Sequence, residues 1–136
     1  MPFSSREYDR WMRQAERTLV SARRDLRAGD HNWSCFKAQQ SAEYSLKALL
    51  HGLGFSPMGH SLVKLLADLD RRGVDASRVL VMARTLDRHY IPSPYANAHV
   101  EGSPYEYYDL STARAAIDAS QGMIRFVRRT AKKFGA

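Results

Sequence analysis

The chain has 136 residues, of which 44% are hydrophobic and 26% charged, with a formal net charge of +7. A chain of this length and balance can bury a sufficient core without disulfides or a structural metal. The single cysteine, Cys35, cannot form an internal disulfide, and no apolar run approaches the roughly 20 residues that span a bilayer. We therefore expect one domain over residues 1–136, located in the cytoplasm, with no membrane partner.

Apolar residues recur at three- and four-residue steps, which predicts amphipathic helices and no strands. The first predicted helix stops at Gly29-Asp30. Its apolar face consists of Tyr8, Trp11, Ala15, Leu19, Ala22 and Leu26. The second begins after Asp30, a suitable N-cap, and Gly54 follows its end. Its apolar face consists of Cys35, Gln39, Ala42, Leu46, Leu49 and Leu53. These two helices are expected to form an antiparallel hairpin.

Three shorter or later helices complete the predicted fold. The third ends at Arg71-Arg72-Gly73, and its apolar positions are Leu62, Leu65, Leu66 and Leu69. The fourth begins near Asp75-Ala76-Ser77 and cannot continue past Pro92; its apolar positions are Val79, Ala83 and Leu86. The fifth begins near Ser111, with the face Ala113, Ile117, Ser120, Ile124 and Val127. The prediction is an all-α, up-and-down bundle of four to five helices.

One long irregular segment, from about Tyr90 to Asp109, precedes the last predicted helix. It holds three of the five prolines and five of the seven tyrosines. Long loops of this kind are often functional or packed as a surface cover. The tyrosines are therefore open to two interpretations: they stack nucleotide bases, or they hold the loop on the bundle.

The basic charge is concentrated in arginine, which supplies sixteen of the twenty-one cations. Its planar guanidinium is suited to phosphate and carboxylate groups. The cations cluster near both ends of the chain, and no acidic residue follows Asp118. This surface favours phosphate-bearing partners or an acidic protein partner. For the cluster in the first helix, where acids are interleaved, a solvated helix face is the alternative.

A polar row interrupts the second helix. Gln40, Glu43 and Lys47 lie at three- and four-residue steps, with Gln39 beside them. One interpretation is a polar cleft in which Glu43 orients a base or a cation. The other is an ordinary ion pair between Glu43 and Lys47 on a solvated or interface face.

A second group of polar residues, Arg84 to Tyr90, lies at the end of the fourth helix. Neutral His89 could accept a proton from a ribose 2′-hydroxyl, and Arg84 and Arg88 could hold a phosphate without a metal. On a continuous helix Arg84 and His89 are about 140° apart, so they converge only if the helix ends between them or two protomers share a site. A structural histidine at a helix end is the alternative.

The remaining motifs are less informative. His60-Ser61 opens the third helix and is interpreted as a cap. The sequence has no Gly-rich phosphate loop, no serine elbow and no helix-spaced pair of histidines that would bind a metal. We therefore expect no cofactor and no metal.

Three segments together resemble the HEPN domain family, named for nucleotide binding in higher eukaryotes and prokaryotes. They are Trp33 to Leu50, Gly59-His60-Ser61-Leu62, and Leu86 to Pro92. The resemblance covers about Trp11 to Val127, so that residues 1–136 would form a single HEPN-like domain with its core at about 6–130. It implies a helical bundle that forms a homodimer. It also implies a separate minimal nucleotidyltransferase as partner, often in a toxin-antitoxin pair.

The resemblance also suggests chemistry. Active members of the family are metal-independent ribonucleases that use an arginine, four to six intervening residues and a histidine, a spacing that Arg84 and His89 match. Glu43 is the nearest candidate for the polar residue that the second helix often adds. The candidates for binding nucleotide or phosphate are Arg88, Lys47, Gln40 and Tyr90. Three hypotheses follow: a nucleotide- or nucleic-acid-binding module beside a nucleotidyltransferase, a ribonuclease toxin, or a structural dimeric adaptor.

Overall fold

Five α-helices form the fold in the computed structural model, which describes residues 2–136. They are α1 (Ser5–Ala28), α2 (His31–Gly52), α3 (Leu62–Arg71), α4 (Leu80–Asp87) and α5 (Leu110–Lys133). Short 3₁₀ segments occur at Ser77–Val79, Ala96–Ala98 and Pro104–Tyr107, and residues 2–136 contain no strand. The predicted all-α bundle, with a long irregular loop before the last helix, is confirmed. None of the described helices is long and apolar enough to cross a membrane.

The hairpin of α1 and α2 forms as predicted. Ser4 caps α1 by accepting a hydrogen bond from the Glu7 amide at 3.3 Å, and Gly29 ends the helix in the left-handed conformation, with φ of 84°. Asp30 occupies the N-cap position of α2, but its side chain makes no capping hydrogen bond. The turn therefore depends on Gly29 more than on Asp30.

The central helix of the bundle is α2, which packs against each of the other four α-helices. Its small polar residues allow close approach to α1 while keeping their own hydrogen bonds. Ser34 Oγ donates to the Ala22 carbonyl at 2.9 Å, and Ser41 Oγ donates to the Ala15 carbonyl at 2.6 Å. Because α2 is enclosed on most sides, any charged side chain on it must find partners inside the fold.

The other helices follow the predicted apolar faces, with one difference in α4. The predicted start near Asp75 is a 3₁₀ turn at Ser77–Val79, and the α-helix proper covers only Leu80–Asp87. Asp75 Oδ1 accepts from the Ser77 amide at 3.0 Å, which stabilises this turn. In α5, Asp109 caps the helix by accepting from the Thr112 amide at 2.8 Å. The five apolar-face positions predicted for α5 are buried.

The loop between α4 and α5 is held on the bundle at several points. Asn32, buried in α2, donates from Nδ2 to the Ser93 carbonyl at 3.1 Å. His99 stacks on Tyr107, with ring centroids 4.3 Å apart. Tyr90 and Tyr108 are half-buried against the helices, whereas Tyr95, Tyr105 and Tyr107 are exposed. Some tyrosines thus pack the loop and others remain on the surface.

Candidate functional site

The carboxylate of Glu43 lies in the interior of the bundle, with 2% of the residue exposed. Lys47 Nζ donates to Oε2 at 3.0 Å, Gln40 Nε2 donates to Oε1 at 3.2 Å, and His60 Nδ1 lies 3.1 Å from Oε1. We call these four residues the Glu43 cluster. The i,i+4 pair of Glu43 and Lys47 therefore forms, but it is buried rather than solvated.

His60 connects this buried cluster to the surface. Its side chain is 55% exposed, although Nδ1 contacts the buried carboxylate. A carboxylate can only accept, so Nδ1 carries the hydrogen in this contact. The cap interpretation of His60-Ser61 holds for Ser61, which accepts from the Lys64 amide at 3.2 Å. The role of His60 in the cluster was missed by the sequence analysis.

Asp87, at the end of α4, fixes the segment that carries His60. Its carboxylate accepts from the backbone amides of Leu62 at 2.9 Å and Val63 at 3.1 Å, which are free donors at the start of α3. Gln39, buried in α2, donates from Nε2 to the His60 carbonyl at 2.8 Å. The imidazole is thus positioned by three helices at once.

A row of aromatic rings leads away from the Glu43 cluster along the surface of α2. The His60 ring stacks on Tyr90 with centroids 4.7 Å apart, and Tyr90 stacks on Phe36 at 5.8 Å. Trp33, 44% exposed, meets Phe36 edge to face at 6.1 Å. We call Trp33, Phe36, Tyr90 and His60 the aromatic row. Burial, together with the charge of Glu43, raises the pKa of Tyr90 above its ordinary value, so the phenol keeps its proton to a higher pH than a free tyrosine does.

The predicted Arg84 and His89 do not touch in the described structure. Helix α4 ends at Asp87, so Arg84 lies on the helix and His89 in the turn that follows it. His89 nevertheless turns towards the loop, where Nδ1 lies 3.3 Å from the Tyr108 hydroxyl. Burial and the nearby Arg88 lower the pKa of His89, which leaves its imidazole neutral at pH 7 and able to accept a proton. Arg84 and Arg88 are exposed.

The predicted site residues therefore fall into two groups. Gln40, Glu43 and Lys47 are joined by direct contacts, and Tyr90 reaches them through His60. The other three, Arg84, Arg88 and His89, have no direct hydrogen bond or ion pair with that group. In particular, Glu43 orients His60 and not His89. Within residues 2–136, no three His, Cys, Asp or Glu side chains are grouped so that they could hold a metal ion.

Comparison with known proteins identifies a family for almost the whole bundle. Residues 8–130 match the family model of the HEPN domain. Among curated proteins no match to the chain is found.

Three crystal structures share the fold. TT1696 from Thermus thermophilus is 37% identical, with a TM-score of 0.86, over 90% of this chain and 96% of that one. ST0689, an archaeal HEPN homologue, is 34% identical, with a TM-score of 0.77 and coverage of 90% and 96%. The HEPN domain protein tm0613 from Thermotoga maritima is 28% identical, with a TM-score of 0.73 and coverage of 90% and 98%.

The environment of His89 leads to a testable pH dependence. Its imidazole should titrate by NMR with a midpoint below the ordinary value of about 6.5, because burial disfavours the charged ring. Arg88→Ala should raise the midpoint, since a neighbouring positive charge is removed, but burial should still keep it below the ordinary value. Because the pKa of His89 is lower in the folded protein, the protein should lose stability as the pH falls below about 6.5. The imidazole of the unfolded chain then binds a proton more tightly than the folded one does. A midpoint at or above the ordinary value would contradict the burial of His89.

Proposed function

The chain belongs to the HEPN domain family, and on that basis we propose that it is a nucleotide- or nucleic-acid-binding module. The observation that carries this proposal is the aromatic row, which ends on His60 beside the buried carboxylate of Glu43. Partly exposed rings stack on bases of any sequence, because each base has a π-face. His60, the exposed member of the Glu43 cluster at the end of this row, adds a hydrogen bond to the ribose or base.

The residues of the site have different roles: some contact the ligand and others hold the carboxylate of Glu43. Tyr90 and Trp33 contact bases, while the exposed Arg84 and Arg88 bind phosphate. Lys47 is 9% exposed and is engaged by Glu43, so its task is to hold that carboxylate rather than to contact a ligand. Gln40 supports Glu43 in the same way.

The family suggests the setting in which the module works. We propose that it acts beside a separate minimal nucleotidyltransferase, as one half of a toxin-antitoxin pair, and that it forms a homodimer. A cytoplasmic location is part of the same proposal, since Cys35 is a buried free thiol, as is usual in a reducing compartment.

A second candidate function, a metal-independent ribonuclease, is favoured by the neutral imidazole of His89 and by the exposed imidazole of His60. Either imidazole could accept the proton of a ribose 2′-hydroxyl. The 2′-oxygen would then attack phosphorus, and the 5′-oxygen of the next nucleotide would leave and take a proton from the imidazolium or from water. A 2′,3′-cyclic phosphate would remain. Arg84 or Arg88 would stabilise the charge that develops on the phosphorane.

Binding can be tested by fluorescence anisotropy with a labelled single-stranded RNA and by calorimetry with AMP and ATP. Tyr90→Leu should weaken binding roughly tenfold, since base stacking on an aromatic side chain contributes about 1–3 kcal/mol. Tyr105→Leu is the matched control, because Tyr105 is an exposed loop tyrosine outside the aromatic row. Equal affinities for wild type and Tyr90→Leu, or no saturable binding of any nucleotide, would contradict the proposal.

Cleavage of a mixed-sequence RNA in the presence of a chelator tests the second candidate. Cyclic phosphate ends should appear, and removal of the general base should reduce the rate by about 10²-fold or more. Three variants, each checked for intact helical content, show which imidazole is the general base and whether an arginine is needed. They are His60→Gln, His89→Ala and Arg84→Ala. His51→Gln is the control, because His51 stacks on Trp11 and lies outside both groups. An inert wild-type protein would exclude this candidate.

A further inference from the structure

A basic groove lies at a different place from the Glu43 cluster, between the turn that follows α3 and the C-terminal turns of α5. Its volume is about 540 Å³. Three cations, Arg78, Arg129 and Lys133, line it together with a single carboxylate, Asp75. Cations thus outnumber the carboxylate in the lining, and concave walls concentrate the positive potential that they produce.

The three cations are available for a ligand. Each is exposed, and in residues 2–136 none of them is hydrogen-bonded or ion-paired to another side chain. The neighbouring Arg128 differs, since its guanidinium donates to Glu16 at 2.7 Å on the side of α1. An ion pair thus forms next to the groove, at Arg128, whereas the cations that line the groove have no such partner within residues 2–136.

The carboxylate in the groove offsets only one of the three positive charges. Asp75 Oδ1 accepts from the Ser77 amide at 3.0 Å, in the turn that precedes α4. This hydrogen bond lowers the pKa of Asp75, with smaller contributions from Arg78 and Lys133. No other acidic side chain lines the groove.

The helix dipole explains only part of the arrangement. Lysines in the last turn of a helix complement its negative end, which accounts for Lys133. Arg129 precedes that last turn, and Arg78 belongs to the 3₁₀ segment before α4. The dipole of α5 therefore explains the position of neither arginine. Two separate elements contribute cations to one concavity.

Apolar surface lies beside these charges. Phe126 and Val74 are buried at the base of the groove, and Phe134, also in its lining, is 42% exposed. The Phe134 ring stacks on Phe3, with centroids 5.9 Å apart, and the rest of its side chain is open to a ligand. An inorganic anion would use only the cations, whereas a phosphate attached to a nucleoside would also cover the exposed part of Phe134. The lining thus combines the two features that bind nucleotides, namely guanidinium groups and an aromatic ring.

We propose that this groove is a second binding site, which takes a phosphate group attached to a nucleoside. Arg78 and Arg129 bind the phosphate oxygens, Lys133 adds charge, and Phe134 contacts the base. The phosphate can belong to a mononucleotide or to the backbone of RNA. The eight residues of α4, about 12 Å of helix, lie between Arg78 and the residues that follow Asp87. No residue that lines the groove belongs to the Glu43 cluster or to the aromatic row, so the groove stands whether or not the Glu43 cluster binds a nucleotide.

Amide chemical shifts locate the binding directly. Inorganic phosphate, AMP and a short single-stranded RNA are titrated separately into the labelled full chain. Amides of Val74, Thr130 and Phe134 report on the groove. Those of His60 and Tyr90 report on the aromatic row, which is the first site. The proposal expects saturable shifts in the groove set with AMP or RNA, larger than those with inorganic phosphate.

A matched pair of charge variants tests which cations matter. The groove variant combines Arg78→Gln, Arg129→Gln and Lys133→Gln. The control removes the same charge from exposed arginines elsewhere, with Arg13→Gln, Arg27→Gln and Arg114→Gln. RNA affinity should fall at least tenfold in the groove variant. The slope of log K against log salt should decrease by about 0.7, since the groove binds one phosphate and each phosphate contact on a single strand contributes about that much. The control should change the slope by less than half as much.

The outcomes separate this proposal from the proposed function. Shifts confined to His60 and Tyr90, with equal effects of the two triple variants, would overturn the groove and leave the first site intact. Shifts in the groove set alone would support the groove and count against the first site. No shift in either set would overturn both. A mononucleotide that shifts the groove identifies a free nucleotide as ligand, whereas a response to RNA alone identifies the phosphodiester backbone.

Discussion

The buried carboxylate of Glu43 is the constraint around which the bundle is arranged. Removing a charge from water costs several kcal/mol unless donors replace the water. One donor, Lys47, comes from the next turn of α2, but another comes from His60, in the segment before α3. That segment is held in turn by Asp87 of α4 and by Gln39. One charge in α2 thus sets the relative positions of three helices and places one imidazole at the surface.

A buried ion pair is weak evidence for stability, because apolar residues of the same volume often stabilise a protein as much or more. Local features that oppose stability are expected at functional sites. Glu43 fits this pattern: it interrupts the apolar surface of α2, yet it orients the exposed His60 at the end of an aromatic row. The basic groove provides a second surface of suitable chemistry, with cations that are exposed and unpaired within the described residues. Together these surfaces favour phosphate-bearing ligands over a purely structural role.

Most of the fold could be predicted from apolar spacing, but the site could be predicted only in part. The leucines of α3 and the buried face of α5 repeat with helical period, so local sequence determined them. The start of α4 was misplaced because a 3₁₀ turn and a helix have similar short-range patterns. The row of Gln40, Glu43 and Lys47 was visible as polar residues on a core helix. Its partner His60, 17 residues from Glu43, was not, because packing between helices brings them together. The groove could not be predicted for the same reason, because packing brings Arg78 and Arg129 together and no local sequence pattern links them.

The most direct test of the central claim is to replace the buried ion pair by apolar residues of similar volume, Glu43→Leu with Lys47→Met. The free energy of unfolding and the affinity for RNA and AMP are measured on the same samples. In this variant His60 and Gln40 can turn to water, so no buried donor is left without an acceptor. We expect stability to be unchanged or higher by about 1–4 kcal/mol, while binding at the aromatic row is weakened at least tenfold. Reduced stability with unchanged binding would show that Glu43 serves the fold alone and has no role in binding.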